Sequence, residues 1–292
     1  MRHRTIGDLR VGAIGYGAMP LSIEGHPDER QAVATIHAAL DAGVTLIDTA
    51  DSYHVPGGEP GPGELLVARV LSAYGGAADA VLVATKGGRG RTADGGWSVN
   101  GDPRHLKRAA EASSARLGGG AIGLYQLHKP DPAVPYAESL GALQELLAEG
   151  TILRAGISNV GTEQILLARE MLGDRLVSVQ NRYSPEVRDS EPELRLCAEL
   201  GLAFLPWSPL GGISRSALNG MSALSATRPY EAFHTVARER GVSPQRVALA
   251  WLLAKSPAMV PIPGASRPAT VTDSAAAADL ELSANELASL DG

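Results

Sequence analysis

Val81-Leu82-Val83-Ala84-Thr85-Lys86-Gly87-Gly88 reads as a short apolar strand that ends on a cation and then on two glycines. Uncharged residues in a short run, bounded by Gly-rich stretches, fit a strand buried on both faces. Two other runs end in a comparable way. Val44-Thr45-Leu46-Ile47 stops at Asp48, with Tyr53 five residues on, and Ile122-Gly123-Leu124-Tyr125-Gln126-Leu127 stops at His128. A cation, a carboxylate, a phenol and an imidazole converge if these strands lie parallel with their ends on one rim. The rest of the chain decides whether they do.

Before this stretch, a helix is predicted from Asp28 to Ala42, with Asp28 and Gln31 as a capping box and Gly43 as its stop. A Gly/Pro-rich loop then leads to a helix over Glu64–Tyr74. After the strand, Asp102-Pro103 offers an N-cap and first helical residue for a helix ending near Leu117. Helices over Tyr136–Glu149, Thr162–Leu172 and Pro192–Leu200 alternate with strands Arg154–Ile157, Leu176–Val179 and Leu202–Leu205. A long loop and two helices follow, the second over Gln245–Ala254 and opened by Ser243-Pro244. Strand Met259–Ile262 comes next, and a last helix over Ala284–Leu290 carries a capping signature in Ser283 and Glu286.

Adding a strand near Ala13–Tyr16 makes eight apolar runs separated by helices, with no linker-like shift in composition. That pattern predicts one (β/α)8 barrel domain over 1–292, in preference to an open doubly wound sheet. Thr5–Val11, with Gly7-Asp8 at its middle, reads as a short N-terminal β-hairpin, and helices beyond the last strand are extra C-terminal ones.

The bulk properties narrow the function classes. The net charge is −6 with 20% charged residues, and no Lys/Arg run marks a nucleic-acid stripe. No apolar run reaches the roughly 20 residues of a membrane span. The N-terminal residues lack a signal-peptide core. The single Cys197 falls in a helix-like stretch and reads as a buried apolar residue. A cytoplasmic protein without an obligate protein partner is the expectation.

In a (β/α)8 barrel the active site lies where strands end and the following loops begin. The strand ends present Gly17 to Met19, Asp48 with Tyr53, Lys86, His128, Ser158-Asn159, Gln180-Asn181, Trp207-Ser208 and Gly264 to Arg267. Taken singly, each has an ordinary explanation: Asp48 as a loop cap, His128 as a satisfied rim histidine, Trp207 as a roof. Together, four of them suit carbonyl reduction. Hydride addition to a carbonyl carbon leaves an alkoxide that needs a proton. A phenol can supply it if a neighbouring cation lowers its pKa from about 10. Asp48 would hold the Lys86 ammonium, and His128 would donate a hydrogen bond to the substrate oxygen. No ligand spacing suggests a metal.

Asp48, Tyr53, Lys86 and His128, in this order and spacing, resemble the catalytic tetrad of the aldo-keto reductases. The resemblance runs from Leu9 through Gly17 to Leu280-Glu281-Leu282, and includes Asp48-Thr49-Ala50-Asp51-Ser52-Tyr53, Gly156-Ile157-Ser158-Asn159, Val179-Gln180-Asn181, Ser208-Pro209-Leu210-Gly211 and Ile262-Pro263-Gly264. Bacterial members similar to pyridoxal reductases are nearest in pattern. The resemblance implies an NADPH-dependent reductase of a small-molecule carbonyl, with NADH as an alternative cofactor and Tyr53 as general acid. It implies that Ser158, Asn159 and Gln180 hold the nicotinamide carboxamide and that Trp207 stacks on the ring. Gly17, Ala18 and Met19 join the cofactor contacts. Ser208, Pro209, Leu210 and Gly211 would meet the pyrophosphate, and Pro263, Gly264, Ala265, Ser266, Arg267 and Asp273 the adenosine half, with Arg267 on a 2′-phosphate. Met19, Trp97, His128 and Trp207 would line the substrate pocket.

Some features depart from the family's pattern. His54 follows Tyr53 where Gly is common, and is expected to face solvent or pack in the loop. Thr270, Asp273 and Ser274 stand where longer side chains often bind the adenosine. Gly15-Tyr16-Gly17-Ala18-Met19-Pro20 lacks the third glycine of a dinucleotide fingerprint, so that reading fails. Two other functions remain open at this stage: a cofactor-binding regulatory subunit of the same fold, and a Schiff-base enzyme using Lys86.

Overall fold

A computed structural model describes residues 1–92, 94–211, 213–214 and 230–292. Part of the predicted loop after Leu205 therefore lies outside the described residues. Seven parallel strands form one sheet: β3 (Tyr16–Gly17), β4 (Leu46–Asp48), β5 (Leu82–Gly87), β8 (Leu124–Leu127), β9 (Ala155–Ser158), β10 (Leu176–Gln180) and β11 (Ala203–Phe204). They follow one another in chain order, each paired in parallel with its neighbour.

The eighth run closes the sheet on itself without a full ladder. Val260 donates to Phe204 and Phe204 to Ala258, while Gly15 and Gly17 donate to the carbonyls of Pro261 and Pro263. Pro261 and Pro263 have no N–H to return, so this segment bridges both sheet edges yet forms no regular strand. The closure is tight: a side chain at Gly17 would meet the Ile262 carbonyl oxygen at 2.8 Å. The result is a (β/α)8 barrel.

Helices α1 (Glu29–Asp41), α2 (Pro62–Tyr74), α3 (Pro103–Arg116), α4 (Tyr136–Glu149), α5 (Thr162–Leu172), α6 (Glu191–Leu200), α7 (Glu231–Arg240), α8 (Pro244–Lys255), α9 (Pro268–Ala276) and α10 (Ala284–Asp291) surround it. Asp102, Ser243 and Ser283 cap their helices as expected, each accepting the N–H three residues on. Asp28 also accepts from the Gln31 N–H, but the Gln31 side chain donates to the Ser266 carbonyl at 2.7 Å instead of returning. The expected capping box is thus half formed, and its other half ties α1 to the closing segment.

The hairpin β1 (His3–Ile6) and β2 (Leu9–Gly12) turns on Gly7, whose φ of 59° is left-handed. Ile6 and Val11 enter the barrel interior with Leu46, Leu82, Ala84, Leu124, Val177, Leu205 and Val260, so the hairpin plugs the N-terminal end. Trp207 packs on the same cluster. A second, larger core lies between strands and helices and contains Cys197, buried as expected, with its thiol pushed up to about 12 by burial.

Several boundaries differ from the sequence reading. The first barrel strand is Tyr16–Gly17 and not Ala13–Tyr16, and Ile122 makes only an isolated bridge to Ile152 ahead of β8. The Gly-rich stretch after Lys86 contains an unexpected hairpin, β6 (Arg89–Arg91) with β7 (Trp97–Val99), and α9 follows Arg267 where no helix was expected. Among the described residues no helix is long and apolar enough to cross a membrane.

Candidate active site

Parallel register brings the strand ends together. Asp48 ends β4 opposite Ala84 of β5, Lys86 lies opposite Gln126 of β8, and Gln180 of β10 lies opposite Ser158 of β9. The four tetrad candidates meet there, all buried. Lys86 Nζ donates to Asp48 Oδ1 at 2.5 Å, to the Thr49 carbonyl at 2.8 Å and to Tyr53 Oη at 3.2 Å. The His128 ring lies edge-on to Tyr53, with centroids 5.5 Å apart. Ser52 Oγ is 3.4 Å from His128 Nδ1.

Asp48 is held from its other side as well. Its Oδ2 accepts from Gln126 Nε2 at 3.1 Å and from Gln180 Nε2 at 2.9 Å. Gln126 was not anticipated as a site residue. Gly156 makes its place, because a side chain there would meet Gln126 Cγ at 2.7 Å. Its position in β8, two residues before His128 just past the strand end, is the signal that could have found it.

The electrostatics follow from burial and from the one ion pair. Burial opposes the charge on Lys86, but Asp48 and Tyr53 outweigh it and hold the amine above its ordinary pKa. The Tyr53 phenol corrects an expectation: burial raises its pKa, and Lys86 recovers only part of that shift. Burial, with the charges of Lys86 and Arg89, drives His128 well below the ordinary imidazole range, so its ring is neutral at pH 7.

Two cavities share this rim. The larger, about 280 Å3, is a groove walled by Gly17, Met19, Pro20, Trp207 to Gly211 and Ile262 to Gly264, with Ser266. The smaller, about 40 Å3, is walled by Met19, Arg89, Trp97, His128, Ser158 and Asn159. Tyr53, Gln180 and Trp207 line both. Of the expected cofactor residues, Ala18 and Ala265 are buried behind the groove, their backbones bonded to Asp48 and Tyr16. Arg267 is exposed at the start of α9. Asp273 departs from expectation: its carboxylate is taken by Arg246 at 2.7 Å and by Ser243, which joins α8 to α9. His54 is buried and bonds the Val55 carbonyl, so it packs in its loop.

The larger groove, continued by Ser158 and Asn159 of the smaller cavity, suits a nicotinamide dinucleotide. Asn159 Nδ2 is committed to the His128 carbonyl and Ser158 Oγ, and Gln180 Nε2 to Asp48 and Gln126. The amide oxygens of Asn159 and Gln180 accept nothing from the described residues, which leaves them for a carboxamide NH2. Trp207 lies between the cavities with its indole Nε1 buried and without a hydrogen-bond partner among the described residues. Asn159 and Ser208 hold left-handed φ of 61° and 49°, conformations that cost free energy and cluster at functional sites. Among the described residues no group of three or more His, Cys, Asp or Glu side chains could hold a metal.

The chain is similar to known proteins over nearly its whole length. The sequence profile of the aldo/keto reductase family matches residues 13–292. An oxidoreductase of Schizosaccharomyces pombe is 33% identical over 290 residues, covering 98% of this chain and 88% of that protein. Pyridoxine 4-dehydrogenase of Escherichia coli is 32% identical over 299 residues, covering 99% and 96%. The crystal structure of an aldo-keto reductase from Klebsiella pneumoniae in complex with NADPH superposes with a TM-score of 0.79 at 28% identity, covering 100% of this chain and 95% of that one.

Proposed function

This chain belongs to the aldo/keto reductase family, and on that premise we propose that it reduces an aldehyde or ketone to the alcohol with NADPH, Tyr53 supplying the proton. The observation that carries the proposal is the buried Lys86 ammonium, 2.5 Å from Asp48 and 3.2 Å from the phenol of Tyr53, which lines both cavities.

Bound NADPH would supply the hydride. Ser158, Asn159 and Gln180 would orient its carboxamide, Trp207 would cover one ring face, and the 207–211 and 262–267 segments would hold the phosphates. The carbonyl carbon gains the hydride, and the carbonyl oxygen takes the proton from Tyr53 Oη. Lys86 then favours the phenolate left behind until solvent reprotonates it. The raised Tyr53 pKa suits this direction, because the phenol stays protonated at neutral pH and is ready to donate. His128, uncharged and with Ser52 at Nδ1, can donate from Nε2 to the carbonyl oxygen as charge develops. Gln126 and Gln180 keep Asp48 in place for Lys86.

A Schiff-base role for Lys86 needs a neutral amine. Three oxygen acceptors and a raised pKa oppose that. The test is loss of reduced-nicotinamide absorbance with a panel of aldehydes and ketones. Wild type should turn over members of the panel, and Tyr53→Phe should lose two or more orders of magnitude in kcat, on the order expected for general acid catalysis, while still binding NADPH. Binding without turnover across the panel would contradict the proposal.

A further inference from the structure

Arg89 is a cation that the reaction outlined above does not use. It projects from the β6–β7 hairpin and walls the smaller cavity beside Tyr53, Trp97 and His128. It does not line the larger groove, and none of the contacts assigned to the dinucleotide uses it.

Its neighbour shows the contrast. Arg91 and Arg89 both stack on the Trp97 ring, at 4.3 and 4.4 Å. Arg91 is ion-paired with Glu24. Arg89 has no carboxylate partner among the described residues; its Nε, like that of Arg91, is buried with no hydrogen-bond partner among them. Burial and the charge of Arg91 both act against it, yet a guanidinium does not deprotonate in a protein. The other charges at the cavity cancel or are absent: Lys86 is paired with Asp48, and His128 is neutral. A net positive charge therefore faces the space where a substrate would sit.

Unmatched charge of this kind is costly unless something completes it. The planar fork of a guanidinium matches a carboxylate. A cavity of about 40 Å3 is small beside ordinary ligand pockets of about 300 Å3 or more, so the group beyond the carbonyl is short. We propose that the substrate is a small aldehyde bearing a carboxylate, which Arg89 binds while the carbonyl faces Tyr53 and His128. This inference rests on the reductase reading and specifies its substrate class.

The experiment compares matched pairs of short aldehydes at saturating NADPH: succinic semialdehyde against its methyl ester, and glyoxylate against methyl glyoxylate. Wild type should prefer each acid by about tenfold or more in kcat/KM, carried by KM, the order expected for a charge-assisted hydrogen bond. Arg89→Met should bring the acid-to-ester ratio near one by raising KM for the acid. Arg89→Lys, which keeps the charge and loses the fork, should fall between. Equal use of acid and ester by wild type, or an Arg89→Met loss equal for both, would overturn the proposal while leaving the reductase reading intact. If neither these aldehydes nor the wider panel of aldehydes and ketones is turned over, the reductase reading fails, and titration of succinate into the NADPH-loaded protein decides the site: heat lost in Arg89→Met supports it, and none in wild type overturns it.

Discussion

Lys86 keeps its charge because three oxygens surround its ammonium, and this sets how the neighbouring phenol behaves. The sequence pointed to the cation and its partners, but not to the balance between them. From spacing alone the Lys86 charge is expected to lower the Tyr53 pKa; with both groups buried, desolvation wins and the phenol is raised. The pH dependence follows. With Tyr53 raised above its ordinary value of about 10, reduction of an uncharged aldehyde should show no alkaline limb from this residue below about pH 10. With His128 driven well below its ordinary range, its protonation should cause no acid limb between pH 7 and 6. A Tyr53-dependent alkaline limb centred below pH 9 in kcat/KM would show that Lys86, and not burial, dominates.

At the scale of elements, the loop from β4 to α2 carries a buried acid that the tetrad does not use. Asp51 has a buried oxygen, Oδ1, without a hydrogen-bond partner among the described residues, and Glu64 of α2, bonded to Thr85 and Arg116, lies near enough to repel it. Burial first, then Glu64, push its pKa up to about 7. The folded state therefore holds this proton to higher pH than the unfolded chain, whose value is near 4. The contribution of Asp51 to stability is largest below pH 4 and is lost as pH rises toward 7. Asp51→Asn should remove that loss and raise stability at pH 8 by roughly 2–4 kcal/mol. Urea unfolding at pH 5 and pH 8 checks this; a parallel response of the two proteins would contradict it. At the far end of the groove, Arg267 begins α9, and Asp273 is neutralised by Arg246. An anion near Arg267 is thus not repelled by an unpaired Asp273. Arg267→Ala should weaken NADPH by about tenfold or more and NADH far less, measured by fluorescence titration; equal losses would remove the 2′-phosphate role.

For the whole molecule, the alternation of apolar runs and helices was enough to predict the barrel, because parallel strands buried on both faces carry few polar residues. The site was legible for the same reason, since its polar groups stand at the ends of those runs. Other parts were hidden by local chemistry. Pro261 and Pro263 remove the donors that would make the eighth run a regular strand. The helix α9 begins Pro-Ala-Thr-Val-Thr, and its β-branched residues are weak helix formers. The β6–β7 hairpin looked like a Gly-rich loop, so Trp97 could be assigned to the substrate pocket but its stacking on Arg89 could not be read. Gln126 was hidden inside an apolar run, where only the barrel shows that it reaches Asp48. In the proposed reaction a carbonyl carbon receives hydride from the nicotinamide while Tyr53 protonates the oxygen. The most direct test is turnover of an aldehyde with NADPH deuterated at the transferable position, followed by mass analysis of the alcohol. One deuterium on the carbinol carbon in wild type, and almost none formed by Tyr53→Phe with NADPH binding retained, is the predicted result. Alcohol without deuterium at that carbon, or undiminished transfer by Tyr53→Phe, would contradict it.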